Sequence, residues 1–180
     1  MGHSRAYPVY RTTDEEAAYD RAKELCAELE LIEDEIWVDA VLADPERLLR
    51  VAEAVPDLAF EGSDQEEYDP WDEPEPDRFP VWAWSEEAPE DADLPFLAAA
   101  GDAPALLGRR GRWPGPDGSV QYDGVQVVFH HDDLELDPPD RRTETHTVFL
   151  HVHKHCPPSR VRELAARAGL NVLGEARTGW

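Results

Sequence analysis

The residues best equipped for chemistry lie in one run, Thr145-His146-Thr147-Val148-Phe149-Leu150-His151-Val152-His153-Lys154-His155-Cys156. Val148, Leu150 and Val152 alternate with Phe149, His151, His153 and His155, which is the period of a β-strand. Imidazoles two residues apart on a strand are separated by about 6.5 Å and can share one metal ion, whereas a pair four apart cannot. A site on His151 and His153 therefore needs a third ligand from elsewhere. His130 is the candidate, because it shares the outward face with them if Val125, Val127 and Phe129 point into the core. His131, His155, Cys156 and Asp132 are reserves. Nitrogen ligands of this kind favour Zn²⁺, so one reading of the chain is a metal-binding protein or a metal-dependent hydrolase. The bland alternative is a polar strand face that needs no cofactor.

A second group of residues suggests binding rather than catalysis. The stretch from Glu61 to Asp77 holds nine carboxylates, three prolines and no Lys or Arg, and Glu86 to Asp93 adds five more carboxylates. Aromatic side chains run through it. Carboxylates complement a basic surface, and exposed rings supply the area on which binding energy concentrates. Tyr68, Asp69, Trp71, Asp72, Trp82 and Trp84 are the expected contacts of a positively charged protein partner, in the manner of an immunity or inhibitor protein. The competing view is a solvated acidic loop.

Bulk composition points the same way. The 180 residues include 40 acidic and 17 basic ones, for a formal charge of −23. Such a field repels nucleic acid and anionic membranes and attracts basic proteins. The most apolar window, Leu94 to Leu107, is broken by Gly101, Asp102 and Pro104 and cannot span a bilayer. With two widely separated cysteines, Cys26 and Cys156, and no apolar leader, the expectation is a cytoplasmic protein with reduced thiols. Nucleophile-elbow, zinc-protease, dinucleotide and P-loop motifs are all missing. A non-catalytic binder is therefore preferred over the metal-dependent reading. The oligomeric state is not legible.

The elements that must position these residues follow from periodicity. Thr13 with Glu16 forms a capping box, and Ala18, Ala22, Leu25, Leu29 and Ile32 mark an amphipathic helix of about five turns. Ile36 to Leu42 reads as a buried strand. Asp44-Pro45 opens a helix with Leu48, Val51, Ala52 and Val55 inward, and Leu58 to Glu61 returns as a strand. The same order recurs late: the histidine strand, a helix N-capped by Ser159 with Val161, Leu164, Ala165 and Ala168 inward, and a strand from Leu170 to Gly174. Val120 to His131 reads as a strand, Leu94 to Leu107 as one or two short helices, Gly108 to Arg112 as a basic turn, and Pro138-Pro139 as a loop. The expected fold is α+β: a ferredoxin-like or related mixed or antiparallel sheet built from two β-α-β units, with an extra N-terminal helix. It is expected to form one domain over residues 1–180, with 61–119 a long acidic insertion containing Pro and Trp.

Overall fold

The computed structural model describes residues 2–136 and 141–180, so the expected Pro138-Pro139 loop lies outside them. The described chain is α+β, with nine strands and four helices, and the strand pairs with an assigned register are antiparallel. It forms two compact units. One comprises Met1–Glu33, Gly108–Val128 and Thr145–Trp180; the other comprises Asp34–Leu107 and Phe129–Glu144.

The first unit contains β1 (Ser4–Thr12), α1 (Glu15–Cys26), β2 (Leu31–Ile32), the second part of β6 (Ala105–Arg112), most of β7 (Gly124–Phe129), β8 (His146–His153), α4 (Pro158–Arg167) and β9 (Arg177–Thr178). Its strands run in the order β6-β7-β8-β1-β9, with β2 paired to β6. Asp14 caps α1 by accepting from the Ala17 N–H at 3.1 Å, one residue later than the expected Thr13. Ala18, Ala22 and Leu25 are buried as the stripe requires. The helix stops at Cys26, so it is shorter than expected. Leu31 and Ile32 instead pair with Arg112 and Gly111 and stay exposed, because strand pairing satisfies backbone groups that another helical turn would have used. Ser159 lies inside α4, and Pro157 takes the cap position without a side-chain bond. The expected strand at Leu170–Gly174 is irregular, and the closing strand is β9.

The second unit contains β3 (Glu35–Leu42), α2 (Pro45–Ala54), β4 (Ala59–Glu61), β5 (Val81–Pro89), α3 (Asp93–Ala100) and the start of β6, with strand order β4-β5-β3-β6. Asp44 caps α2 through the Arg47 N–H at 2.9 Å, with Pro45 in the first turn, as the sequence indicates. Leu48, Val51, Ala52 and Val55 are all buried.

Three expectations need correction. Residues 81–89 are not loop: Val81-Trp82-Ala83-Trp84 alternates and pairs with both β3 and β4, which outweighs the local charge and proline content. Gly108 to Arg112 is strand rather than turn, while the apolar window holds one short helix, Asp93–Ala100, as expected. A ferredoxin-like plan is too small for this chain. β5 stands between β3 and β4, and β1 between β8 and β9, within a larger set of strands.

Candidate functional site

The histidine strand is sealed. Every residue of β8 except His153 is buried, so both faces are covered rather than one. His151 is fully enclosed. Its ring stacks on Trp180 at a centroid distance of 3.9 Å and an interplanar angle of 1°, and its Nδ1 shares a hydrogen bond with Ser4 Oγ at 3.3 Å. Two glycines permit this packing. A Cβ on Gly179 would overlap Ser4 Oγ and the His151 ring, and one on Gly124 would overlap the Trp180 indole. Arg110 also sits over the indole, 5.2 Å from its ring centroid. Burial, followed by the Arg110 charge, pushes the His151 pKa down to about 3, so the imidazole is neutral at ordinary pH. Its Nε2 is enclosed without a hydrogen-bond partner among the described residues. The backbone around it is tied by Trp113, which donates from Nε1 to the His151 carbonyl at 2.7 Å.

The other proposed ligands sit in different surroundings. His153 is half-buried, packs edge-on to Tyr122 at 4.7 Å, and accepts the His155 N–H through Nδ1 at 3.2 Å. His130 does not continue β7, which ends at Phe129. It adopts φ +55°, and its Nδ1 lies 3.3 Å from both the Thr143 carbonyl and Arg142 Nη2. Strand alternation therefore gives no basis for placing His130 on a common face with His151 and His153. Among the described residues, no group of three or more His, Cys, Asp or Glu is arranged to hold a metal ion. Neither thiol is activated: burial pushes Cys26 up to about 12, and burial followed by the Asp123 carboxylate raises Cys156.

The acidic segment is ordered, and one arginine orders it. Arg78 binds both carboxylate oxygens of Asp64 at 3.0 and 3.2 Å, donates to the carbonyls of Glu66 and Glu67, pairs with Glu75, and lies 5.1 Å from the Tyr68 ring centroid. A bidentate guanidinium held by this many acceptors fixes the turn from Gly62 to Glu67. It also keeps the Asp64 carboxyl below the usual carboxylate range. The returning chain pairs with β4, Tyr68 N–H donating to the Phe60 carbonyl at 2.9 Å beside a bridge between Glu61 and Glu67. Asp69 then accepts the Trp71 N–H at 2.9 Å, a short side-chain turn that presents the indole outward. Trp71 is 63% exposed, the most exposed of the large apolar side chains.

Between this turn and the end of α2 runs a groove of about 840 Å³. Pro56 and Asp57 (φ +60°) carry the chain out of α2 along one wall, and Tyr68, Pro70 and Trp71 form the other. Leu58 and Phe60, both half-buried, contribute apolar surface. Glu53, Asp57, Glu67 and Asp69 line the groove as well, no lining residue is cationic, and among the described residues none of these four carboxylates makes an ion pair.

Of the expected partner contacts, Tyr68, Asp69 and Trp71 meet at this groove. Tyr68 is 4% exposed, so it serves as a wall and its hydroxyl accepts the Glu75 N–H. Asp72 is exposed but does not line the groove. Trp82 and Trp84 lie on β5, where Trp82 donates from Nε1 to the Leu136 carbonyl at 3.4 Å and Trp84, 40% exposed, stands opposite Ala59 and Asp39.

Sequence reasoning passed over two functional-looking residues. Arg78 lies just past the stretch counted as free of cations, and that position was its only signal. Asp39 is the one carboxylate within the apolar run Ile36–Leu42 of β3. Its Oδ1 is enclosed without a hydrogen-bond partner among the described residues, and burial pushes its pKa up to about 7, only partly offset by the Ala40 N–H. Among the described residues, no helix is long and apolar enough to cross a membrane. No family model matches the chain, and no curated protein or solved structure shows significant similarity to it.

Proposed function

We propose that this is a non-catalytic acidic binding protein that engages or inhibits a positively charged protein partner through the groove beside Trp71. The observation that carries this reading is an indole held 63% exposed beside a groove containing four carboxylates and no cation. A large exposed ring costs solvation unless a partner covers it, and rings in such positions are where interface energy concentrates. The field of a chain with formal charge −23 speeds encounter with a basic surface and weakens as salt rises. His151, the central imidazole of β8, is fully enclosed, and burial raises the pKa of both thiols.

The test is capture on the immobilised chain at low ionic strength, followed by affinity measurement with each captured protein in pure form. The expected partner carries net positive charge, and its affinity falls at least about tenfold both on Trp71→Ala and on raising the salt. Capture of no basic protein, or a complex indifferent to Trp71→Ala, overturns the reading.

A further inference from the structure

Resting on that reading of the groove, we infer that the segment it recognises is an extended peptide in which one bulky apolar side chain is flanked on both sides by Lys or Arg. The argument starts from the two kinds of surface in the groove. Leu58, Phe60 and the Trp71 ring offer apolar area to an entering side chain, and the volume of about 840 Å³ is in the range that holds a few residues. Both segments that line the groove carry acids: Glu53 and Asp57 at the end of α2, Glu67 and Asp69 in the acidic turn. A cation on each flank of the inserted side chain therefore meets a carboxylate, which a peptide with its charge on one side only does not achieve.

Backbone geometry limits the mode of docking. At Phe60 and Glu61 the outer edge of β4 is already taken by Tyr68 and Glu67, so a peptide cannot add there as another strand. Recognition then falls to side chains, with the apolar anchor giving affinity and the flanking charges giving orientation and speed. Arg78 is committed to Asp64, Glu75 and two carbonyls, and its charge does not neutralise the groove acids through an ion pair.

The experiment is calorimetric titration of the full chain with three capped peptides at low ionic strength: Lys-Arg-Leu-Lys-Arg, its Leu→Gly analogue, and Glu-Glu-Leu-Glu-Glu. The expected result is binding of the first, at least about tenfold weaker binding of the second, and none of the third. Trp71→Ala should lower affinity for the first peptide by a similar factor. A Glu53→Gln, Glu67→Gln double variant, which removes no ion pair among the described residues, should lower it several-fold and flatten its salt dependence. Equal binding of the first two peptides, unaffected by Trp71→Ala, overturns the apolar-anchor inference while leaving an acidic binder of basic proteins standing. Absence of binding by either basic peptide overturns the inference, and the binder reading then stands or falls on capture of a folded basic protein. Binding of the acidic peptide contradicts both.

Discussion

β8 and the Glu61–Asp77 segment hold most of the residues that look chemical, and the protein uses them in opposite ways. The strand places imidazoles in a row, and the fold closes over His151: it is stacked, hydrogen-bonded and neutral, and it acts as a core residue. The acidic segment looks like solvated loop and is instead tied down by Arg78 and a strand bridge so that one indole is displayed. Residue type alone does not separate a site from a core. The deciding factor is what satisfies the neighbouring backbone and charge. Polar groups with internal partners become structure, while apolar groups held outward by such partners become surface for binding.

The sharpest way to break this contrast is to truncate one ring in each region. His151→Ala removes a fully buried ring and its stack on Trp180, and is expected to cost about 2–4 kcal/mol in chemical denaturation. Trp71→Ala is expected to change stability by less than about 0.5 kcal/mol while weakening partner binding. A His151→Ala protein of unchanged stability that had lost a stoichiometric metal would return β8 to the status of a site.

The next effect is smaller and depends on pH. His151 has its folded pKa lowered to about 3 from an ordinary 6.5, so between those values the unfolded chain binds the extra proton and stability falls as pH falls. Asp39 has its folded pKa raised to about 7 from 3.8, so in that window the folded chain holds the proton and stability falls as pH rises. Each effect is at most about 1.4 kcal/mol per pH unit, and the two oppose one another between about pH 4 and 6.5. Relative to wild type, Asp39→Asn should therefore gain stability as pH is raised from 4 to 7, measured by urea denaturation across that range. A pH-independent difference would mean that the Asp39 carboxyl is not protonated in the fold.

The smallest expected effect is local. Arg78→Gln removes the clamp on the acidic turn, and amide hydrogen exchange should quicken at Gln65 and Tyr68 with little change at Val148 or Leu150. Unchanged exchange at Tyr68 would assign the order of the segment to strand pairing alone.

Much of this framework is legible from local pattern, and the misread segments share one cause. The α2 cap and buried face, the apolar stripe of α1 and the inward residues of α4 follow from spacing, because a helix satisfies its backbone within itself. Strands depend on partners distant in sequence, which is why Val81–Pro89 looked like loop, Gly108–Arg112 looked like turn and Leu31–Ile32 looked like helix. In the site, Tyr68, Asp69 and Trp71 could be chosen by composition, but the groove could not, since its other wall comes from the end of α2. The sealing of His151 was equally hidden, because it requires Trp180 and two glycines far along the chain.

The most direct test of the contrast is an NMR titration of the wild-type chain with a basic partner, following the tryptophan indole N–H signals and the His151 imidazole. The account predicts that the Trp71 indole shifts or broadens with saturating stoichiometry, while Trp113, which donates to the His151 carbonyl, and the His151 ring stay in place. Movement of Trp113 and His151 with Trp71 unchanged would contradict it and make the histidine strand the binding region.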